Sequence, residues 1–190
     1  MVPEPFMQRE RSAEADAMFI DRWSPRAFLS DPIDPRLIEM LLEAARWAPS
    51  CMNEQPWRFV YTKTAQDHEL FVSALQEKNQ VWAKNAPVVM FIFAKKTFEQ
   101  SGAPNKWALF DCGAAWLSIV LQARKLGLYS HAMAGFIPEK VFEVTNVPAD
   151  HFDVAAAVVI GKRTDKSTLP DQLQQRESPS MRKPLRDLIM

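Results

Sequence analysis

The sequence predicts one domain in which helices and strands are mixed. Segments with apolar residues at helical spacing alternate with short apolar runs, and such runs are typical of buried strands. The chain has 190 residues, of which 47% are hydrophobic, and this is enough to build one core. We therefore expect residues 1–190 to form a single domain.

Two helices are predicted before the first strand. The first is expected at residues 13–20. The second is predicted over residues 35–47, because Asp34 is a good N-cap and Pro35 is favoured at the first helical position. Pro49 disfavours the helical conformation of the residue before it, so the second helix should end there.

The next predicted elements are a strand and a helix. Aromatic and β-branched residues at 57–61 indicate a strand. Thr64 and Asp67 together are typical of a helix N-terminus, and the apolar spacing that follows predicts a helix over residues 64–78. We expect a turn at residues 79–80.

An apolar run at residues 87–94 and a long helical pattern at residues 105–126 occupy the middle of the chain. Because the run does not alternate, it predicts a strand that is covered on both faces and is central in its sheet. The helix, which Gly127 would end, has almost no polar face. A domain of this size has little interior for such a helix, so we expect it to be buried against a second subunit.

The last part of the chain is predicted to hold a strand at 129–134, a helix at 138–144 and a buried strand at 154–161. Residues 164–190 form a polar, proline-punctuated tail with scattered apolar residues, and they cannot form a core alone. We expect this tail to extend over a partner subunit, with disorder as the alternative. Residues 1–12 are expected to be a flexible start.

The charge and cysteine content argue against several classes of protein. The chain has 23 basic and 23 acidic residues, so nothing global favours a nucleic acid or an anionic membrane as partner. The start lacks the order of a signal peptide, and no apolar run is long enough to span a bilayer. Cys51 and Cys112 show no paired spacing, which argues against a disulfide framework or a zinc site and favours the reducing cytoplasm.

Three polar clusters suggest that the chain binds a phosphate. They are Arg22, Ser24 and Arg26 near the start, the loop at residues 50–55, and Lys162 with Arg163 after a buried strand. Guanidinium groups match phosphate oxygens in a bidentate fashion, and ammonium and hydroxyl groups add further donors. The alternative is that these side chains are ordinary solvated surface groups.

Two segments carry a resemblance to a known family. They are Arg22-Trp23-Ser24-Pro25-Arg26-Ala27-Phe28 and Ala48-Pro49-Ser50-Cys51-Met52-Asn53-Glu54-Gln55-Pro56-Trp57. With further matches at residues 79–82, 111–115, 127–128, 135–136 and 169–182, they resemble the nitroreductase family of FMN-dependent NAD(P)H oxidoreductases. The resemblance implies an α+β fold of three layers, α/β/α, around a mostly antiparallel mixed sheet. It also implies that the long helix lies at a dimer interface and that the tail extends over the partner subunit.

The resemblance implies roles for the basic clusters in binding FMN. Arg22, Ser24 and Arg26 would bind the phosphate and ribityl chain or the pyrimidine edge of the ring. Lys162 or Arg163 would add a basic ligand for the phosphate. These five residues would form one half of the cofactor site.

Loops would supply the other half of a site that two chains of a homodimer share. The resemblance implies that the loop at residues 49–55 comes from the other subunit, that Asn79 contacts the flavin ring, and that residues 134–135 pass over the ring. The full set implied to bind the cofactor is Arg22, Trp23, Ser24, Arg26, Pro49, Ser50, Cys51, Met52, Asn53, Gln55, Asn79, Ala134, Gly135, Lys162 and Arg163.

The activity that the resemblance implies is ping-pong hydride transfer. NADPH or NADH would reduce FMN, which would pass electrons to a nitroaromatic, a quinone or a similar planar small molecule. The resemblance implies no catalytic side chain and no metal.

Two alternatives stay open at this point. Trp23, Pro25 and Cys51 depart from the family pattern. The altered Trp23-Ser24-Pro25 leaves open a flavin-binding or sensing protein without turnover. A related enzyme that dehalogenates its substrate or fragments the flavin is the second alternative. Such relatives carry extra lid segments, for which the stretch between residues 94 and 105 leaves little room.

Overall fold

The computed structural model describes residue 9 and residues 11–190, so most of the predicted flexible start at residues 1–12 lies outside the described residues. The helices are α1 (Ala17–Asp21), α2 (Pro35–Arg46), α3 (Ala65–Ser73), α4 (Glu77–Ala83), α5 (Ala108–Lys125), α6 (Pro138–Thr145) and α7 (Asp171–Gln174). The strands are β1 (Trp57–Tyr61), β2 (Val88–Lys95), β3 (Tyr129–Met133) and β4 (Phe152–Gly161). Short 3₁₀ turns lie at Cys51–Asn53, Lys166–Thr168 and Leu185–Leu188.

The four strands form one sheet in the order β1-β2-β4-β3. Phe59 of β1 pairs with Ile92 of β2, and Phe91 of β2 pairs with Ala157 of β4. All three strand pairings among the described residues are antiparallel, so in that part of the chain the sheet is not mixed. The predicted central place of the 87–94 run is confirmed, because β2 lies between two strands and is buried along nearly its whole length.

Helices cover both faces of the sheet. Val89 and Phe91 of β2 pack in one hydrophobic cluster with residues of α3, α4 and α6. Met90 and Ile92, whose side chains alternate with these, pack in a second cluster with residues of α2 and α5. The predicted α+β fold with α/β/α layers is therefore confirmed, and its two cores lie on opposite faces of β2.

The predicted helix over residues 64–78 is correct at its start and wrong at its end. Thr64 and Asp67 form the expected capping box. The helix stops at Ser73 because the next backbone groups pair with a distant segment. The Gln76 amide donates to the Gly135 carbonyl at 2.9 Å. Residues 79–80 lie inside α4 and do not form the predicted turn.

The first helix also begins later than predicted. The sequence indicated residues 13–20, whereas α1 spans Ala17–Asp21. The Asp16 side chain accepts a hydrogen bond from the Met18 amide and so sets the helix start at the following residue.

Helix α5 is buried on the side that faces the sheet and exposed on the other. Ala115 and Ile119 are fully buried, whereas Phe110 is 76% exposed and Leu117 is also exposed. Burial on nearly all sides, which its composition predicted, is therefore not reached within one chain. The apolar face that remains exposed includes Trp107 and Leu109.

The first part of the tail packs against its own chain. Arg163 forms an isolated β-bridge with Phe28, and Leu169 and Glu177 are buried. Beyond Glu177, apolar residues such as Leu188 are exposed. The prediction that residues 164–190 extend over a partner stays a prediction.

In the part of the chain that the structure describes, no helix combines the length and the apolar character needed to cross a membrane.

Candidate functional site

The segment from Arg22 to Arg26 follows α1 and is held against β3. The Trp23 ring is almost fully buried and meets the Tyr129 ring edge-on, with ring centroids 6.2 Å apart. The Arg163 guanidinium lies 5.9 Å from the centre of the Trp23 ring. Arg22 donates a hydrogen bond from Nη1 to the Ser24 hydroxyl at 3.2 Å. Four of the predicted cofactor-binding residues are thus neighbours.

Positive charge accumulates around Arg22. Burial lowers the pKa of Arg22, and the nearby cations Arg182 and Arg9 lower it further. Arg9 donates to the carbonyl oxygens of Ile20 and Arg22, at 2.5 and 2.9 Å. Its Nε and Nη2 atoms are buried and meet no acceptor among the described residues. This arrangement of guanidinium groups, with buried donors to spare, suits an anion such as a phosphate.

Arg26 lies beside an aromatic pair. Its guanidinium is 5.9 Å from the centre of the Trp82 ring, and the Trp82 ring packs in turn against the His131 ring, with centroids 4.7 Å apart. Burial lowers the pKa of Arg26, and the Glu177 carboxylate opposes this effect. The cation is therefore partly desolvated, which strengthens its attraction for negative charge on a ligand.

Asn79 and Gly135 meet at a close contact. The Asn79 side-chain amide donates to the Gly135 carbonyl at 2.9 Å. A Cβ atom added to Gly135 would come within 2.3 Å of Asn79 Nδ2, so this position requires glycine unless Asn79 moves. The contact fixes the turn at residues 134–135 against α4, and Ala134 is exposed beside it.

The loop from Pro49 to Gln55 is organised mostly by its own atoms. The Ser50 hydroxyl accepts a hydrogen bond from the Gln55 amide at 2.9 Å. The Cys51 amide donates to the carboxylate of Asp111, a buried residue of α5, at 3.1 Å. Three residues of this loop have positive φ: Met52, Asn53 and Gln55. The loop therefore presents backbone in an uncommon conformation, with Met52 85% exposed.

The predicted site residues fall into two groups in the chain. One group lies on the sheet face that α3, α4 and α6 cover, and it consists of Arg22, Trp23, Ser24, Arg26, Asn79, Ala134, Gly135 and Arg163. The second group is the loop that contains Pro49, Ser50, Cys51, Met52, Asn53 and Gln55, and it adjoins the α2 and α5 face. Lys162 is exposed, and its backbone carbonyl accepts from the Leu29 amide.

Sequence reasoning missed several residues of the first group. Arg9 and Arg182 adjoin Arg22, while His131 and Glu177 hold the backbone next to Arg26. Glu177 and Arg182 lie within the family match at residues 169–182, which was the available signal but assigned them no role. Their partners could not be named, because the contacts of His131 and Glu177 span more than 100 residues of chain.

Known proteins of similar sequence and structure point to one family. The sequence profile of the nitroreductase family matches residues 20–69 and 62–162. A Streptomyces coelicolor protein, provisionally named NADH dehydrogenase/NAD(P)H nitroreductase, is 30% identical over an alignment of 146 residues, and the match covers 66% of this chain and 72% of that protein. The NADH dehydrogenase of Thermus thermophilus is 26% identical over 181 residues, covering 78% of this chain and 86% of its own. A crystal structure of an oxidoreductase containing FMN has a TM-score of 0.91 and 46% identity, covering 96% of this chain and 93% of that one.

Proposed function

This chain belongs to the nitroreductase family, and on that basis we propose that it is an FMN-dependent NAD(P)H oxidoreductase. The proposed reaction takes hydride from NADPH or NADH in one half-reaction. In the second it delivers electrons to a nitroaromatic, a quinone or a similar planar molecule. Donor and acceptor would use the same place in turn, which makes the mechanism ping-pong.

The observation that carries the proposal is the cluster of guanidinium groups around Arg22. Arg182 lies close enough to lower the pKa of both Arg9 and Arg22, and Arg9 has buried donors without an acceptor among the described residues. A phosphate monoester such as that of FMN would supply the missing acceptors and the negative charge. The donor set therefore fits the group.

The chain's own residues would bind and orient the cofactor. When bound, FMN supplies the redox chemistry. Arg9, Arg22 and Arg182 would hold its phosphate, with the Ser24 hydroxyl as a further donor. Arg26, partly desolvated beside Trp82, would stabilise negative charge on the ring system.

The turn at residues 134–135 would contribute backbone donors to the ring. The hydrogen bond from Asn79 to the Gly135 carbonyl keeps this turn in place. Because the position admits no Cβ without movement of Asn79, we expect the turn to be rigid before any ligand binds. A rigid turn loses little entropy when the cofactor binds.

We also propose that two copies of the chain share each site. The loop from Ser50 to Gln55 lies with the α2 and α5 layer, whereas the guanidinium cluster lies on the other face of the sheet. The exposed face of α5, with Phe110 and Leu117, adjoins the loop through Asp111. Pairing of two chains through this face would bury it and bring the loop of one chain toward the arginines of the other.

Mixing two variants tests the shared site. A chain with Arg22→Gln and a chain with Asn53→Gly should each bind FMN poorly, and Gly retains the positive φ of Asn53. If the site is shared, refolding the two together should restore roughly a quarter of the sites, because half of the dimers are mixed and each has one intact site. Restoration of no sites would contradict the shared arrangement.

The two cysteines bear on the cellular compartment. Cys51 and Cys112 are both free thiols, in line with a reducing compartment, and we propose the cytoplasm.

The stretch after β2 forms a short hairpin closed by a bridge between Thr97 and Pro104. It offers no long lid, which favours broad access for planar acceptors over a closed pocket.

Purified protein tests the function directly. We expect it to be yellow or to bind added FMN, to lose its flavin absorbance when NADPH or NADH is added without oxygen, and to regain it when a quinone or nitroaromatic follows. Initial rates at several fixed acceptor concentrations should give parallel double-reciprocal lines. Protein that binds FMN but resists reduction by both nicotinamides would contradict the proposed activity and favour a sensing role.

A further inference from the structure

The peptide bond between Pro25 and Arg26 is held from both ends by distant residues. Its carbonyl oxygen lies 2.8 Å from Nδ1 of His131, in β3. Its amide nitrogen lies 2.8 Å from Oε1 and 3.0 Å from Oε2 of Glu177, in the tail. The sequence separations are 106 and 151 residues, so two remote parts of the fold fix one peptide unit.

Glu177 is well suited to this position because it offers only acceptors. Its Oε1 also accepts from the Ala27 amide at 2.9 Å, so one carboxylate satisfies two successive backbone donors. Glu177 is 8% exposed. Oε2 accepts from the Arg26 amide alone, so a glutamine that kept its oxygen at the Oε1 place would direct its NH₂ group at that amide. Two donors that face each other in a buried place are costly.

His131 completes the arrangement from the opposite side. A carbonyl oxygen can only accept, so Nδ1 must carry the proton and donate to Pro25. The His131 ring also packs against Trp82, above which the Arg26 guanidinium lies. Backbone and side chain of Arg26 are thus both located by the same small group of residues.

We infer that Glu177 and His131 are positioning residues that orient Arg26 toward the cofactor. The inference rests on the proposed function, since it names residues that act on that same site through Arg26. It makes the first part of the tail a component of the site, because docking of Glu177 and orientation of Arg26 occur together. FMN affinity should therefore depend on a residue 151 positions away from the cation that it orients.

The test is a double-mutant cycle on FMN affinity, measured by quenching of flavin fluorescence in apoprotein. Glu177→Gln should raise the FMN dissociation constant by about tenfold or more, and Glu177→Asp, which keeps both acceptor oxygens, should recover most of that loss. In an Arg26→Gln background, Glu177→Gln should add less than about twofold, because the residue through which it acts is already gone. Glu143→Gln, which removes a carboxylate from an exposed position on α6, is the matched control and should bind like wild type.

A parallel pair of variants keeps the inference testable if Glu177→Gln does not fold. His131→Phe keeps the ring against Trp82 but removes the donor to Pro25, and should weaken FMN binding. His131→Asn restores an N–H near the Nδ1 position and should recover part of the affinity. Trypsin cleavage after Arg176 or Arg182, followed in apoprotein without FMN, should be faster in Glu177→Gln than in the control.

The outcomes separate this inference from the proposed function. If wild type and Glu143→Gln both fail to bind FMN, the proposed function is wrong. If both bind and folded Glu177→Gln binds equally well, the positioning role is overturned. The positioning role is also overturned if Glu177→Gln lowers FMN affinity as much in the Arg26→Gln background as it does when Arg26 is present.

Discussion

The segment from Arg22 to Arg26 is held by residues far along the chain, whereas the loop from Ser50 to Gln55 is held mostly by itself. The segment depends on His131 and Glu177, more than 100 residues away. Most of the loop's polar contacts span five residues or fewer, and the bond from Cys51 to Asp111 anchors it on α5. The two regions are the two halves of the proposed site.

The difference indicates which half depends on a second chain. The cationic half is half-buried, partly desolvated and ordered by the fold of its own chain. The loop half exposes Met52 and adjoins an exposed apolar helix face. We infer that the first half can recognise a phosphate alone, whereas the second acts only where another chain meets it. Four changes should test this contrast.

The largest effect should come from Phe110→Glu, which places a charge on the exposed apolar face of α5. Burying a Phe contributes about 2 kcal/mol, and a two-fold interface contains it twice, so the dimer dissociation constant should rise by about 1000-fold. Sedimentation should show monomers, and FMN binding should weaken because the loop half is lost. Leu70→Glu, at an exposed position on α3 across the sheet, is the control. If the Phe110→Glu variant is still a dimer, the interface does not include the exposed face of α5.

The second-largest effect should be a pH dependence of the free energy of unfolding that His131 causes. His131 supports the cationic half of the site. Burial lowers the pKa of His131 from 6.5 to about 4, with the bond to Pro25 opposing and Arg26 and Arg22 adding to the shift. Between these values the unfolded chain binds a proton that the folded chain does not, so stability falls as pH falls through this window. The loss from about pH 7 to about pH 4 should be about 3 kcal/mol.

Urea unfolding at the two pH values measures this loss. His131→Phe should remove that part of the pH dependence, while His151→Phe, at an exposed position, should keep it. Equal pH dependence in wild type and His131→Phe would contradict the shift.

A third change tests the cationic half by itself. Arg22→Gln should raise the FMN dissociation constant by about 100-fold, because charged hydrogen bonds to phosphate are lost from a partly buried site. The dimer should persist, since Arg22 is not part of the exposed apolar face of α5. Arg36→Gln, whose side chain is 85% exposed, is the control. An FMN affinity that Arg22→Gln leaves unchanged would show that the phosphate binds elsewhere.

The two halves also differ in how well the sequence predicts them. The predictions of strand β2 and of the capping box at Thr64 were correct because each follows from a local pattern, an apolar run or a cap with its partner three residues on. The break after Ser73 could not be predicted, because it results from pairing of Gln76 with Gly135. Helix α1 was placed too early, since Asp16 caps it more strongly than its apolar spacing indicated.

For the site, motif resemblance located the segments but not the groups that support them. Arg22 and Arg26 could be named because they belong to a contiguous motif. Glu177 and Arg182 could not be given roles, because nothing in a polar tail indicates that it returns to the start of the chain. Residue types predict the chemistry of a site, but only the folded structure shows which distant residues contribute to that site.

The smallest effect should come from Ser50→Ala, which tests the internal order of the loop half. The change removes the acceptor for the Gln55 amide, worth about 1 kcal/mol, and should weaken FMN binding by about fivefold with the dimer intact. Ser73→Ala removes a hydroxyl at an exposed position on α3 and should bind like wild type. Because the loop supplies shape rather than charge, the loss should not vary with salt, whereas wild-type affinity should weaken as salt rises through the cationic half. A loss from Ser50→Ala that exceeds the loss from Arg22→Gln would reverse the contrast, and would mean that the loop rather than the arginines carries most of the binding energy.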